Sequence, residues 1–121
     1  MKRIIIVDDE EDFCFFMKKN LEATKNFEVH ICTDSNQAVN HIREIRPNLI
    51  LLDILMPGIS GPDIAQELKE DESTQDIPVV FLTAVITEAE ARENKNIIGG
   101  HYFVSKPVKV KELIEIINKI C

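Results

Sequence analysis

The stretch of sequence that decides the fold is Ile4-Ile5-Ile6-Val7-Asp8-Asp9, close to the start of the chain. Its apolar residues are β-branched and do not alternate with polar ones, a pattern typical of a strand that is buried on both faces of a sheet. Two carboxylates follow directly where this strand should end. The pattern therefore predicts a parallel strand with acidic side chains at its carboxyl end.

Further strands and helices alternate along the rest of the chain. Four more short apolar runs are found at residues 28–32, 49–52, 79–82 and 101–104. The second and fifth runs are the least apolar of the five, so we expect them at the edges of the sheet. The segments between the runs have the apolar spacing of helices. In the first helix, this spacing predicts a buried face made of Phe13, Phe16, Met17 and Leu21.

Residues at the predicted boundaries agree with this alternation. Pro62 suits the first position of the third helix, where its missing N–H leaves no hydrogen bond unmade. Thr87 and Glu90 have the spacing of a capping box at the start of the fourth helix. Gly99-Gly100 is expected to end that fourth segment.

The alternation predicts an α/β fold: a three-layer, doubly wound (βα)5 domain over residues 1–121, with helices on both faces of a parallel sheet. In the flavodoxin-like strand order 2-1-3-4-5, the order reverses between the first and third strands. Ligands of such sheets bind at that point, beyond the carboxyl ends of the strands. The residues that follow Val7 and Leu52 should therefore carry the chemistry.

Composition excludes several classes of function. The net charge of −7 gives no general attraction to a nucleic-acid backbone or an anionic membrane. No apolar stretch has the length of a signal peptide or a membrane span. The cysteines are Cys14, Cys32 and Cys121, an odd number without the spacing of metal ligands, which favours reduced thiols in a cytoplasmic protein.

Three carboxylates fall at the predicted site: Asp8, Asp9 and Asp53. If they meet, each pair repels by about 4 kcal/mol at a separation of 4 Å and an effective dielectric constant of 20. A raised pKa on one of them or a bound divalent cation would relieve this repulsion. Carboxylate and carbonyl oxygens suit Mg²⁺ better than Zn²⁺. The alternative is that they are merely solvated acids at strand ends.

The fourth and fifth strands add matching groups. Thr83-Ala84 follows the fourth strand and Lys106-Pro107 follows the fifth. A hydroxyl group and an ammonium group beside a metal-bound carboxylate could together hold the oxygens of a phosphoryl group. Taken singly, Thr83 could be an ordinary strand-end residue, and Lys106 a solvated loop residue.

These five groups, in this order and spacing, resemble the receiver domain of two-component response regulators, and the resemblance spans the whole chain. It implies that Asp53 accepts a phosphoryl group from a phosphohistidine of a histidine kinase or histidine phosphotransfer protein. It also implies that Mg²⁺ is bound directly by Asp9, Asp53 and the backbone carbonyl of Leu55, and through water by Asp8.

The same resemblance assigns the remaining roles. Lys106 and Thr83 would contact the phosphoryl group, and the Lys106-Pro107 peptide bond is expected to be cis. Thr83 and Phe103 would form the switch that changes the surface of helix 4, strand 5 and helix 5. This surface could bind an effector protein or support a phosphorylation-dependent dimer. The sequence leaves open which effector or fused output domain it serves.

The chain departs from many receivers at two places. Phe103 stands where tyrosine is common, so the switch can report burial of a ring but gains no hydrogen bond from a hydroxyl group. Leu55 and Val85, two residues after Asp53 and Thr83, are apolar and cannot orient an attacking water, which predicts slow self-dephosphorylation. On the first helix, Phe15 is expected to point away from the core, where it could contact the phosphodonor.

Other functions fit less well. A haloacid-dehalogenase phosphatase needs a second acid where Leu55 stands, so an enzyme acting on small phosphorylated substrates is not expected. The acidic run at residues 8–12 would repel the phosphate of FMN, and the G-x-G-x-x-G of dinucleotide-binding folds is missing. The remaining alternative is an interaction module of the same fold that works without phosphorylation.

Overall fold

The computed structural model describes residues 1–94, 97–98 and 101–121, with the backbone alone at positions 88, 92 and 98. Strands and helices alternate along the chain, as the sequence predicts. In chain order they are β1 (Lys2–Val7), α1 (Glu11–Ala23), β2 (Phe27–Cys32), α2 (Ala38–Ile45), β3 (Leu49–Asp53), α3 (Gly61–Lys69), β4 (Val79–Thr83), α4 (Glu88–Glu93), β5 (Ile97–Ile98), β6 (His101–Ser105) and α5 (Val110–Ile120). A short 3₁₀ turn at Ser35–Gln37 precedes α2. The expected helix end at Gly99-Gly100 lies outside the described residues.

The sheet has the strand order β2-β1-β3-β4-β6-β5. Its five long strands are parallel, so the predicted order 2-1-3-4-5 is confirmed with β6 as the fifth strand. The first expected edge strand, β2, does lie at an edge. The expectation that the fifth parallel strand lies at the other edge is wrong, because the two-residue strand β5 pairs antiparallel with β6 and covers it. A segment of two residues is too short to show a periodicity in the sequence.

Each face of the sheet is covered by a separate apolar cluster. One contains side chains of α1 and α5, among them Met17, Leu21 and Leu113, packed on inner strands. The other contains side chains of α2 and α3, among them Ile42 and Ile64. All four apolar residues of β1 from Ile4 to Val7 are fully buried, and they alternate between the two clusters. The buried, non-alternating pattern of this strand is therefore confirmed.

The buried face of α1 differs from the predicted one. Cys14, Met17 and Leu21 are fully buried, whereas the side chain of Phe16 is 55% exposed. These three buried residues follow the helical spacing i, i+3, i+7, and Phe16 projects more than a quarter-turn away from that stripe. Phe13 packs at the margin of the core, and Phe15 is exposed, as expected. The cysteine was therefore the inward residue, and the phenylalanine was not.

Local contacts fix the ends of the helices near the carboxyl edge of the sheet. The Thr87 hydroxyl accepts a hydrogen bond from the Glu90 N–H at 3.1 Å, and Glu90 Oε1 lies 3.4 Å from the Thr87 backbone nitrogen, so the predicted capping box is present. Helix α3 begins at Gly61, one residue before Pro62, with Ser60 as its N-cap. A Cβ on Gly61 would lie 2.2 Å from the carbonyl oxygen of Asp53, so only glycine lets α3 start this close to β3.

The cysteines and the helices bear on the setting of the protein. Cys14 and Cys32 are buried and Cys121 is exposed, and all three are free thiols. Burial and the nearby Asp8 carboxylate raise the pKa of Cys14 to about 12, so this thiol stays protonated and inert at neutral pH. Among the helices described, none combines the length and the apolar character needed to cross a lipid bilayer.

Candidate functional site

Three carboxylates meet at the carboxyl ends of β1 and β3. One oxygen each from Asp8, Asp9 and Asp53 lies within 4.8 Å of the others. Asp53 is the last residue of β3, and Asp8 directly follows β1, whose last residue Val7 is paired with Leu52 in the parallel register. Asp8 is fully buried and Asp53 is 6% exposed, whereas Asp9 faces solvent. The parallel pairing of β1 with β3 therefore produces the juxtaposition that the sequence predicts.

Lys106 reaches this cluster from the end of β6. Its Nζ lies 2.7 Å from Asp8 Oδ2, 3.0 Å from Glu10 Oε1 and 3.7 Å from Asp53 Oδ1. The same Nζ lies 4.6 Å from the centre of the Phe13 ring, within the range of a cation–π contact. Burial alone lowers the pKa of Lys106, but its hydrogen bonds to Asp8 and Glu10 outweigh this effect and leave the pKa raised. Lys106 is therefore a fixed cation at neutral pH.

The backbone at the end of β4 orients both the hydroxyl and the ammonium groups. The Lys106 N–H donates to the carbonyl oxygen of Thr83 at 2.8 Å, which extends the pairing of β4 with β6 by one residue. The Thr83 side chain is buried, and its Oγ1 accepts a hydrogen bond from the Val85 N–H at 3.0 Å. The Lys106-Pro107 bond is cis, as expected.

The pKa of Asp53 is raised from 3.8 to about 6. Burial is the largest cause, the Asp8 carboxylate adds to it, and Lys106 opposes it. Desolvation and a neighbouring negative charge both disfavour the ionised carboxylate, so the cluster carries unrelieved repulsion when Asp53 is charged. A divalent cation between these oxygens would remove that repulsion.

The donor set fits Mg²⁺. The clustered ligand atoms are all carboxylate oxygens, which are hard donors, and one side of the cluster is open to solvent at Asp9. Mg²⁺ is commonly bound through one or two carboxylates while it keeps several waters. Cys14, the cysteine near this cluster, donates its thiol to the carbonyl oxygen of Asp8 and is protonated, so it offers no thiolate to Zn²⁺.

Two apolar side chains stand in the loops after β3 and β4. Leu55 is 68% exposed and Val85 is 67% exposed, so both project into solvent from the loops that begin at Asp53 and Thr83. The backbone of the β3–α3 loop is tied down elsewhere: the buried hydroxyl of Ser35 donates to the carbonyl oxygen of Pro57 at 2.6 Å and accepts from the Ile59 N–H at 3.0 Å. These hydrogen bonds restrain the part of the loop from Pro57 to Ile59.

Phe103 lies on the opposite side of the sheet from Tyr102. Its ring stacks on Phe81, with centroids 5.3 Å apart, and packs against the cluster formed by α2 and α3. Tyr102 packs against the cluster formed by α1 and α5. A groove of about 390 Å³ lies beside Phe103, between β4, β6 and α3. The alternation of neighbouring strand residues predicted this separation of Tyr102 from Phe103.

Sequence reasoning did not identify two of the residues that contact Lys106. Glu10 lies within the acidic run that begins at Asp8, and this run gave no indication of which acid would turn inward. Phe13 was predicted as a core residue, but part of its ring serves as a platform for the ammonium group of Lys106. Only the fold shows that a residue almost one hundred positions away comes to rest beside them.

Comparison with known proteins gives one consistent family. Residues 4–118 match the model of the response regulator receiver domain. The chain is similar to the phosphate regulon transcriptional regulatory protein PhoB of Escherichia coli, with 37% identity over 98% of the chain and 51% of that protein. It is also similar to the DNA-binding response regulator MtrA of Mycolicibacterium smegmatis, with 33% identity over 93% of the chain and 47% of that protein. The chain thus spans about half the length of these curated relatives.

Solved structures agree in fold. A response regulator from Desulfuromonas acetoxidans superposes with a TM-score of 0.81 and 28% identity, covering 99% of this chain and 96% of that one. The chemotaxis protein CheY4 of Vibrio cholerae superposes with a TM-score of 0.84 and 20% identity, covering 100% of this chain and 99% of that one. The second likeness concerns the fold alone.

Replacing the carboxylate of Asp53 should stabilise the metal-free protein. The folded-state pKa of Asp53 is about 6 and its ordinary value is 3.8, so the unfolded state releases this proton more readily than the folded state. The folded protein therefore loses stability as the pH rises between these two values. We expect Asp53→Asn to raise the free energy of unfolding by roughly 3 kcal/mol above pH 6, because the pKa rises from 3.8 to about 6 on folding and each pKa unit corresponds to about 1.4 kcal/mol. Urea denaturation in the presence of a chelator measures this.

The exposed Asp76 offers a matched control, and Asp76→Asn should change the free energy of unfolding by less than about 0.5 kcal/mol. The gain in Asp53→Asn should shrink as the pH falls below 6 and vanish below about pH 3, where the wild-type carboxyl is protonated in both states. A variant that is less stable than the wild type throughout this range would show that the ionised Asp53 carboxylate does not destabilise the fold through burial and the neighbouring Asp8 charge.

Proposed function

Because the chain belongs to the response regulator receiver domain family, we propose that it is a phosphoacceptor module in which Asp53 takes a phosphoryl group in a Mg²⁺-dependent reaction. The donor is a phosphohistidine of a histidine kinase or histidine phosphotransfer protein. The observation that carries this proposal is the placement of Asp53, a nearly buried carboxylate with Lys106 Nζ at 3.7 Å and two further carboxylates within 4.8 Å.

The reaction moves one phosphoryl group between two nucleophiles. An Asp53 carboxylate oxygen attacks phosphorus, an O–P bond forms as the P–N bond of phosphohistidine breaks, and the electron pair of that bond remains on the imidazole nitrogen. Lys106 lies close enough to neutralise charge on a phosphoryl oxygen, and Thr83 can donate its hydroxyl to another. Positioning and charge stabilisation thus supply most of the catalysis.

Mg²⁺ would be held directly by Asp9, Asp53 and the carbonyl of Leu55, and through water by Asp8. When bound, it would neutralise the carboxylates and the charge that develops on the phosphoryl oxygens. Support for this assignment comes from the oxygen-only donor set and from the raised pKa of Asp53, to which burial contributes most and the neighbouring Asp8 carboxylate adds.

Intact-mass measurement after incubation with acetyl phosphate and Mg²⁺ tests the proposal. We expect one added phosphoryl group, none in Asp53→Asn and none when the metal is chelated. Asp76→Asn should be phosphorylated like the wild type, since Asp76 is exposed and lies outside the carboxylate cluster. An adduct of equal yield in Asp53→Asn would refute Asp53 as the acceptor.

We also propose that the phosphorylated form loses its phosphoryl group slowly. Hydrolysis requires a water in line with the O–P bond and a polar group that orients it. Leu55 and Val85 project from the two loops that flank the acceptor, and neither side chain can hydrogen-bond to water. Neither side chain therefore supplies the polar group that would orient the attacking water.

Polar substitutions at these positions should shorten the lifetime of the adduct. We expect Leu55→Asn and Val85→Gln each to speed its decay by about tenfold, less than the ~100-fold or more that a positioned general base contributes. Phe15→Asn, which alters an exposed apolar residue on α1, should leave the decay unchanged. Decay is followed by intact mass after the donor is removed. A wild-type lifetime of seconds would contradict the proposal.

Thr83 and Phe103 are proposed to couple phosphorylation to the surface formed by α4, β6 and α5. Thr83 would move towards the phosphoryl group, and Phe103 would turn inward into the space that this movement leaves. Two observations support this proposal: a groove beside Phe103 gives its ring space to move, and the ring stacks on Phe81. Because Phe103 has no hydroxyl group, the surface would change by shape alone.

Removal of the ring should therefore uncouple the two sites. On addition of beryllofluoride and Mg²⁺, we expect the amide NMR signals of β6 and α5 to shift in the wild type and to shift far less in Phe103→Ala. Tyr102→Phe, on the opposite face, should behave like the wild type. Unchanged shifts in Phe103→Ala, with beryllofluoride still bound, would eliminate Phe103 as the switch.

The partners follow from the surface of the site. Phe15 and Phe16 are exposed on α1, and Phe16 borders a groove of about 540 Å³ that also contains Lys106 and Pro107. We propose that the helical phosphodonor packs here. MtrA is named as a DNA-binding regulator, but the net charge of −7 argues against direct contact of this chain with nucleic acid. We propose that the protein works in the cytoplasm. Its output would be an effector protein, a fused domain or a phosphorylation-dependent dimer. The only reactions proposed for it are phosphorylation and dephosphorylation of its own chain.

A further inference from the structure

Glu10 occupies the N-cap position of α1, where glutamate is unusual. Its side chain makes no hydrogen bond to the first turn of that helix. Serine, aspartate or asparagine is strongly preferred at an N-cap, because a short side chain can accept from the backbone N–H groups there. The longer Glu10 side chain instead extends away from the helix and contacts Lys106, which lies 96 positions further along the chain.

The contact fixes Lys106 on the β1 side of the site. Lys106 Nζ lies 3.0 Å from Glu10 Oε1 and 2.7 Å from Asp8 Oδ2, but 3.7 Å from Asp53 Oδ1. The Glu10 backbone is itself held, since its N–H donates to Asp8 Oδ1 at 3.0 Å. The Lys106 ammonium group therefore makes its hydrogen bonds to Asp8 and Glu10 and not to Asp53.

We propose that Glu10 is a positioning residue that restrains Lys106 in the unphosphorylated state and competes with the phosphoryl group for its ammonium. This inference rests on the proposed function, because it assigns Lys106 to the phosphoryl group on Asp53. A phosphoryl group on Asp53 would draw the Lys106 ammonium away from Glu10, so part of its binding energy would be spent on weakening this ion pair. The side chain of Glu10 is 64% exposed, which makes the pair weak enough to exchange.

Two substitutions separate the reach of the side chain from its charge. Glu10→Gln removes the charge, whereas Glu10→Asp keeps it but draws the carboxylate back by about 1.5 Å, the length of one C–C bond. Aspartate at this position can also cap α1, which turns its carboxylate further from Lys106 and should raise the melting temperature. Glu11→Gln is the matched control, because Glu11 is an exposed neighbour and its loss changes the net charge equally.

The first measurement is the affinity for beryllofluoride, in the presence of Mg²⁺, by titration calorimetry. Loss of an ion pair with one exposed partner predicts a rise of roughly two- to fivefold in Glu10→Gln and also in Glu10→Asp. Glu11→Gln should match the wild type. If Glu10→Asp binds like the wild type while Glu10→Gln binds more tightly, the effect is one of charge alone and the proposal is overturned.

The second measurement needs neither metal nor phosphoryl chemistry. Acetic anhydride labels free amines, and peptide mass spectrometry gives the rate at Lys106, whose side chain is 14% exposed. We expect this rate to increase by about two- to fivefold in both Glu10 variants and not in Glu11→Gln. An unchanged rate in both variants would overturn the proposal. If the rate rises but the wild type takes up neither beryllofluoride nor phosphate, the restraint exists and the proposed function fails.

Discussion

The structure of the site depends on the repulsion between carboxylates that the sheet brings together at its carboxyl edge. Parallel pairing of β1 with β3 leaves Asp8 and Asp53 no freedom to separate, because both follow directly from buried strands. Lys106 offsets part of this repulsion, yet burial, together with the Asp8 carboxylate, keeps the pKa of Asp53 raised to about 6. The cluster would therefore gain stability from a bound cation, and we propose that Asp53 acts as the nucleophile once that cation is present.

The rest of the fold serves to hold these charges in place. Two apolar clusters fix the strands from both faces, and the absence of a side chain on Gly61 lets α3 begin against the carbonyl of Asp53. The Lys106 N–H donates to the carbonyl oxygen of Thr83, so the backbone positions that carry the hydroxyl and the ammonium group keep a fixed relation. The side chain of Lys106 has more than one carboxylate within reach, so its charge can be redistributed without moving a strand.

Much of this arrangement could be predicted from the sequence. The run Ile4 to Val7 and its counterparts predicted the parallel sheet, and acids at strand ends predicted the cluster, because both depend on short-range patterns. The contacts of Glu10 and Phe13 with Lys106 could not be predicted, since they depend on where distant segments come together. The error at Phe16 has a similar origin. Aromatic residues at helical spacing favoured one face of α1, whereas the structure buries the face that contains Cys14.

The central claim is that Asp53 is the residue which carries the phosphoryl group. Borohydride reduces an aspartyl phosphate to homoserine, so treatment of the acetyl phosphate-modified protein followed by tandem mass spectrometry locates the acceptor within the chain. We expect homoserine at position 53 alone, and only when Mg²⁺ was present during modification. Homoserine at Asp8 or Asp9, or at no position in a protein that carries the added phosphoryl mass, would contradict it.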